Sequence, residues 1–462
     1  MMKNLTLENI ALACRGQLYG KESLTKEDRG REAESVVLDS RLMIPGGVFI
    51  ATRGERVDGH RFISQVFVKG ALAAVCEELP EPLPGPCILV EDSFQALKDV
   101  AKFYRSQLDI KVIGITGSVG KTSTKEFIAG VLSSRFRLWK TQGNFNNEVG
   151  LPLTVLQLRE EHQVAVLEMG ISQFGEMHRL SEIAKPDICV ITNIGQCHLE
   201  FLKDREGVLK AKSEILDFWS GRGPVCVNGD DDKLVTLKVK LGDKLITFGR
   251  NPRNDYYVTK ETSRGLLGSS IAIGGRLGIE QLEVALPGEH MVLNALAAAA
   301  VGDALSLTGE EIKEGMKLVE TVAGRSHVVK LKEQLLIDDC YNANPVSMKA
   351  ALDLLQEAEG RKVAVLGDMF ELGKEEESMH RETGAYAARG KADLLFCVGS
   401  LSKAMYEGAL AASCGEMKVF YLEEKEGLYP LLEEQLLPGD TILLKASHSM
   451  GFSQVADWLK KR

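Results

Sequence analysis

The stretch Val112-Ile-Gly-Ile-Thr-Gly-Ser-Val-Gly-Lys-Thr-Ser-Thr-Lys-Glu-Phe-Ile-Ala-Gly-Val-Leu-Ser133 decides the fold. Its first five residues, Val112–Thr116, form a short apolar run of the kind buried as a strand, and glycines follow at 117 and 120. From Thr122 to Ser133 the apolar side chains Phe127, Ile128, Val131 and Leu132 recur at helical spacing. Strand, glycine turn and helix together make a phosphate cradle, because backbone N–H groups can approach phosphate oxygens at the positive end of a helix. In this layout Lys121 meets the β- and γ-phosphates and the Thr122 hydroxyl ligates Mg2+. Thr116, Gly117, Ser118, Val119 and Gly120 complete the predicted nucleotide site. The full phosphate-loop pattern has glycine where this chain has Ile115, so a plain glycine turn with a surface lysine is the competing reading.

Working outward, buried-type runs at Val164–Leu167 and Ile188–Thr192 alternate with helical segments, which predicts parallel βαβ units. The first run leads into Glu168, a carboxylate at the C-terminal end of a strand, where either a Mg2+ ligand or a strand cap belongs. The second leads into Thr192-Asn-Ile-Gly-Gln-Cys-His198, whose imidazole either reaches the same crevice or is structural. Residues 224–285, rich in Gly, Asp and short β-type runs, read as the far edge of this unit. After Pro287-Gly288 a helix is predicted over Met291–Ala304, with Ala295–Val301 packed inside.

Before this unit lies a small α/β pattern. Its short strands are predicted at Ser35–Leu38, Val48–Ala51, Ala71–Cys76 and Cys87–Val90, and its helix at Phe94–Gln107 buries Leu97, Val100, Ala101 and Tyr104. After it lies a third pattern, with strands at Leu335–Asp338, Lys362–Leu366, Leu394–Val398 and Thr441–Lys445 and a helix at Ser347–Glu357, which reads as a doubly wound parallel sheet. Two asparagine clusters stand out: Thr141-Gln-Gly-Asn-Phe-Asn146-Asn147-Glu-Val-Gly150 and Asp338-Asp-Cys-Tyr341-Asn-Ala-Asn344-Pro345. Carboxamides suit ribose, adenine or peptide groups, and they suit turns equally well.

The 462 residues fit about three domains of roughly 150 residues each. Lys and Arg total 56 against 65 Asp and Glu, a net charge of −9, which argues against nucleic acid as a partner while leaving local anion sites open. No apolar run approaches the ~18 residues of a membrane span, and Met1–Gly16 lacks a signal peptide's apolar core. Nine cysteines without a CxxC pair (Cys14, Cys76, Cys87, Cys189, Cys197, Cys226, Cys340, Cys397 and Cys414) fit reduced, mostly buried thiols in a cytoplasm.

With these residues in view, the chain resembles the Mur ligases, ATP-dependent amide-bond ligases of peptidoglycan precursor synthesis. The resemblance runs in order through TGSVGKT (116–122), GNFNNEVGLP (143–152), LEMG (167–170), TNIGQCHLE (192–200), KAKSEI (210–215), LPGEHMVLNALAA (286–298), AGRS (323–326), DDCYNANPVSM (338–348) and GDMFELG (367–373). The last two resemble the branch of the family whose acceptor is D-alanyl-D-alanine. Leu38-Asp-Ser-Arg41, Gly47–Ala51 and Asp58-Gly-His-Arg-Phe62 look like the family's UDP-sugar-binding domain.

The resemblance implies an α/β chain of three domains. These are a small UDP-muramoyl-substrate-binding domain (1–109), a central P-loop ATPase domain with a parallel sheet (110–322) and a C-terminal Rossmann-like domain for dipeptide and ATP (323–462). It implies joining of D-alanyl-D-alanine to UDP-N-acetylmuramoyl-tripeptide through an acyl phosphate. The cofactors implied are ATP and two Mg2+ ions, one held through a carbamylated Lys212. Metal ligands are then Thr122, Glu168, His198 and Lys212, and the catalytic set is Lys121, Glu168, His198, Lys212 and Arg325. Asn294, Arg325, Asp339 and Asn342 match nucleotide positions, with Arg325 a clamp on the γ-phosphate and Gly324 a candidate hinge. Ser40, Arg41, Asn146, Asn147, Tyr341 and Asn344 are the substrate-binding candidates, and the protein is expected to be a cytoplasmic monomer with no membrane insertion.

Three segments depart from the family pattern: Ala323-Gly-Arg325 for Pro-Gly-Arg, Lys445-Ala-Ser447 for Lys-Gly-Ser, and His448-Ser-Met-Gly-Phe452. Two other readings stay open, a related ligase such as a folylpolyglutamate synthetase and a non-enzymatic nucleotide switch.

Overall fold

The computed structural model describes residues 1–462 apart from 26, 27, 29, 56, 391, 414 and 416, so Cys414 lies outside the described residues. Three sheets follow one another along the chain. The first has the strand order 17–19, 87–89, 73–76, 48–50, 36–37 and is parallel except for Gln17–Tyr19. Its helix Ser93–Ser106 starts at Asp92, whose carboxylate accepts from the N–H groups of Phe94 and Gln95. Leu97, Val100, Ala101 and Tyr104 are all fully buried, as their spacing predicts.

The second sheet has nine strands in the order 279–284, 269–275, 256–263, 245–249, 225–228, 188–191, 111–116, 164–168, 138–140. It is parallel from Leu138–Lys140 through Tyr256–Ser263, and the last two strands turn back antiparallel. Helices Lys121–Ser133 and Glu289–Ala304 pack together over one face. Every residue from Ala295 to Val301 is buried; small alanine side chains let helix, helix and sheet approach closely.

The third sheet has the order 327–330, 335–338, 441–445, 362–367, 394–398, 418–422, and only His327–Lys330 runs antiparallel. Helices flank it as in a Rossmann-like layer structure. Here Asp338 lies in register with Leu444, so the residues following both strands, Asp339 and Lys445, meet at the C-terminal edge.

Four strands escape the apolar-run reading: Gln17–Tyr19, Leu138–Lys140, His327–Lys330 and Lys418–Leu422. Each is the outermost strand of its sheet. An edge strand is half exposed and needs no continuous apolar run. The boundary near residue 110 is not a packing boundary. One apolar cluster includes Leu97 and Tyr104 of the first unit with Leu156 and Leu180 of the second, and Tyr104 Oη donates to the Leu158 carbonyl at 2.7 Å. The eight described cysteines are buried and free. Among the described residues no helix is long and apolar enough to cross a membrane.

Candidate active site

A cleft of about 1070 Å3 opens where the C-terminal ends of the second and third sheets face each other. Ser118, Val119, Gly120, Lys121 and Thr122 form one wall. Gly117 takes φ +150° and a Cβ there would lie 1.9 Å from Thr192 Oγ1, so only glycine lets the turn pass. Gly120 takes φ +81° immediately before the helix. The loop after Ile188–Ile191 clamps this turn: Asn193 Oδ1 accepts from the Val119 N–H at 3.0 Å, and Thr192 Oγ1 donates to the Val119 carbonyl at 2.6 Å. The first-turn N–H groups of the helix have no carbonyl a turn earlier and remain suited to an anion. Lys121 Nζ donates to the Gly117 carbonyl at 3.0 Å. Burial pushes its pKa down, with Glu168 pulling the other way. Thr116 is fully buried behind the turn, its hydroxyl without a partner among the described residues.

Glu168 ends the strand Val164–Glu168 and is buried. Its Oε1 accepts from Asn146 Nδ2 at 2.7 Å, while its Oε2 is buried with no partner among the described residues. An unpaired carboxylate oxygen in a cleft that the Thr122 hydroxyl also lines is a hard-oxygen donor set that fits Mg2+. Among the described residues no three His, Cys, Asp or Glu side chains gather as a metal shell; Mg2+ needs only one or two carboxylates.

His198 lines the same cleft, and its Nδ1 lies 2.5 Å from Glu371 Oε2 of the third unit. That bond holds the Glu371 carboxyl below the usual range. Lys212, on the helix Arg205–Ser213, is 1% exposed and forms no ion pair among the described residues. Burial pushes its pKa down to about 8, with the neighbouring charge of Lys121 acting in the same direction and Cys197 opposing.

The third unit supplies Arg325, whose Nη2 donates to Thr122 Oγ1 at 3.4 Å and whose guanidinium carbon lies 3.8 Å from the Tyr341 ring centroid. Its Nε is buried and unpaired among the described residues, a donor aimed at nothing in the protein itself. Asn294 Oδ1 accepts from Thr124 Oγ1 at 2.8 Å. Asp339 is bonded to Lys445 Nζ at 2.6 Å and accepts from the Ser326 N–H at 2.9 Å. Asn342 lines the cleft, and its carbonyl accepts from Lys445 at 3.0 Å.

The asparagine clusters divide. Asn146 serves Glu168, but Asn147 Oδ1 accepts from the Gly150 N–H at 2.8 Å, and Asn344 caps the helix Pro345–Gln356 through the Ser347 N–H. Both line the cleft while using their carboxamide oxygens as turn chemistry. Ser40 and Arg41 lie in the first unit outside this cleft. The Ser40 carbonyl accepts from Lys69 Nζ at 2.7 Å, and Arg41 pairs with Asp39 at 2.6 Å.

Asn193, Glu371 and Lys445 are among the cleft residues that a sequence reading does not single out. Asn193 and Glu371 sit inside the quoted runs 192–200 and 367–373, and Lys445 ends a predicted strand beside Asp339, so a rule favouring polar residues at the C-terminal ends of parallel strands would have found Lys445.

Three family descriptions match the chain: Mur ligase family, catalytic domain, over residues 32–102; Mur ligase middle domain over 115–302; and Mur ligase, glutamate ligase domain, over 324–448. The UDP-N-acetylmuramoyl-tripeptide--D-alanyl-D-alanine ligase of Bacillus subtilis (strain 168) is 38% identical over 97% of this chain and 97% of its own. A crystal structure of MurF from Acinetobacter baumannii superposes with a TM-score of 0.88 at 31% identity, covering 99% of each chain. MurF ligase from Thermotoga maritima in complex with ADP gives 0.80 at 28% identity, covering 92% of this chain and 97% of that one. Phosphate turn, buried carboxylate, buried lysine and an arginine reaching across from the third unit thus occur in a chain that matches these proteins from end to end, and it belongs to the Mur ligase family.

Proposed function

We propose that the chain joins D-alanyl-D-alanine to UDP-N-acetylmuramoyl-tripeptide, converting ATP to ADP and phosphate and producing UDP-N-acetylmuramoyl-pentapeptide for the cell wall. One observation carries this reading: Arg325 of the third unit donates to Thr122 at the head of the phosphate-turn helix, so the two units build one phosphate site. A carboxylate is a poor electrophile. The tripeptide's terminal carboxylate oxygen therefore first bonds the γ-phosphorus as the bond to the ADP oxygen breaks. Lys121 and Arg325 face the charge spread over the transferring group. The dipeptide amine then attacks the acyl carbon, and the tetrahedral adduct expels phosphate as the amide forms. A cleft walled by two units keeps water from the acyl phosphate.

Thr122, Glu168 and His198 would hold one Mg2+, and a carbamate on Lys212 a second; bound, these ions neutralise phosphate charge. The unpaired Glu168 Oε2 supports the first assignment. A buried amine titrating near 8 supports the second, since the neutral form is the one that adds CO2. Residues 1–109 take the UDP-sugar, with Ser40 and Arg41 in contact with it, residues 110–322 take ATP, and residues 323–462 bring the dipeptide. Asn294, Asp339 and Asn342 serve the nucleotide, while Asn146, Asn147, Tyr341 and Asn344 face the peptide. The enzyme works in the cytoplasm, a reading that its buried free cysteines support, and as a monomer.

The test uses tripeptide labelled with 18O in its terminal carboxyl, in diaminopimelate and lysine forms, with ATP, Mg2+ and D-alanyl-D-alanine. Pentapeptide forms and one labelled oxygen appears in inorganic phosphate. Unlabelled phosphate alongside amide product would overturn the acyl-phosphate route, and absence of amide with both forms would overturn the reading.

A further inference from the structure

His198 and Glu371 come from different units yet meet at 2.5 Å. Both sit on left-handed backbone, His198 at φ +52° and Glu371 at φ +63°, a region non-glycine residues adopt only when their surroundings hold them there. The flanking segments supply that hold. Leu199 packs against an apolar cluster of the third unit, and Gly373 lies beside Glu200, where a Cβ would sit at an ordinary contact distance of 3.7 Å from its backbone nitrogen. The pair itself is open to solvent, with 24% of the His198 side chain and 48% of Glu371 exposed. Exposed pairs add little to stability, so two strained residues for one exposed contact is a poor stabilising arrangement and a good orienting one.

A carboxylate can only accept, so the proton of this bond sits on Nδ1, which leaves Nε2 as the lone-pair nitrogen. We propose that Glu371 is a positioning residue for His198: by accepting from Nδ1–H across the boundary between the second and third units, it selects the imidazole tautomer whose Nε2 can accept or ligate in the cleft, so that His198 is readied only when the third unit is docked. This rests on the reading of His198 as a cleft ligand and extends it to a residue on the opposite unit.

The test uses the full chain, 15N-labelled at histidine and without nucleotide, above the ordinary histidine titration range. Long-range 1H–15N correlation spectra report each ring's tautomer, and the signal lost in His198→Gln identifies the ring. The wild type shows His198 as Nδ1–H. Glu371→Ala shifts it toward Nε2–H, the form a free imidazole prefers in water, and Glu371→Gln, whose carbonyl oxygen still accepts, holds Nδ1–H. In turnover Glu371→Ala lowers kcat by about 10- to 100-fold with KM for ATP unchanged, and Glu371→Gln recovers most of it. An Nε2–H ring in the wild type, or the same tautomer in wild type and Glu371→Ala, overturns the inference. Neither result touches whether the wild type makes amide, so the two readings fail separately.

Discussion

An ammonium group closed off from water beside another lysine is badly placed as an ion. Lys212 is in that position, and burial together with the charge of Lys121 moves its titration to about 8. Below that pH the amine is protonated and inert, and above it the neutral amine adds CO2. At constant CO2 tension, enzyme stripped of CO2 therefore regains activity more completely above pH 8 than below it, with a carbamate carbon visible by 13C NMR after 13CO2 is supplied. Lys212→Ala abolishes the effect, while Lys212→Glu restores part of the turnover without CO2. Nothing in the run Lys210-Ala-Lys-Ser-Glu-Ile215 separates Lys212 from Lys210; only the docking of the helix buries one and not the other. The placement of Lys121 and Thr122 at the head of the helix was legible because it follows from local backbone geometry. Asn147 and Asn344 were ambiguous because the same carboxamide serves a turn or a ligand.

Within elements, the phosphate-turn helix is tied down along its length. Lys125, one turn beyond Lys121, is 2% exposed. Its Nζ donates to the Thr141 carbonyl at 2.7 Å and pairs with Glu126 at 2.9 Å. Thr141 Oγ1 in turn accepts from the Glu168 N–H at 3.0 Å, so one buried lysine joins helix, asparagine loop and the strand that ends at Glu168. Lys125→Met leaves that carbonyl unpaired and costs about 3 kcal/mol, read as a lower denaturant midpoint with an unchanged slope. Central strands such as Val112–Thr116 and Val164–Leu167 were legible as apolar runs because both faces are covered. The outer strands were not, since exposure of one side frees their composition.

At the scale of the molecule, the first and second units share one buried apolar core, whereas the third keeps buried clusters of its own that Leu199 and Leu266 of the second only flank. Polar contacts bridge to it: Arg325 to Thr122, His198 to Glu371, and Ser263 Oγ to Glu357 at 3.2 Å. Chain length and repeated strand–helix patterns indicate three units, but which of them share a core depends on contacts such as Tyr104 to Leu158 that no local pattern encodes. Because Arg325 ties the units together by a single hydrogen bond of 3.4 Å and faces the proposed phosphate site, Arg325→Ala lowers kcat by on the order of 10^3 while the thermal midpoint moves little. Arg325→Lys fails to rescue it, since an ammonium lacks the planar fork and the ring stacking.

The stacking of Arg325 on Tyr341 reaches further than holding a side chain still. A guanidinium resting on an aromatic face gives up most of its rotamer freedom while the protein folds, so little remains to be surrendered when a triphosphate arrives. In the proposed reaction the arm is then already in place for each incoming nucleotide and need not be ordered anew at every turnover.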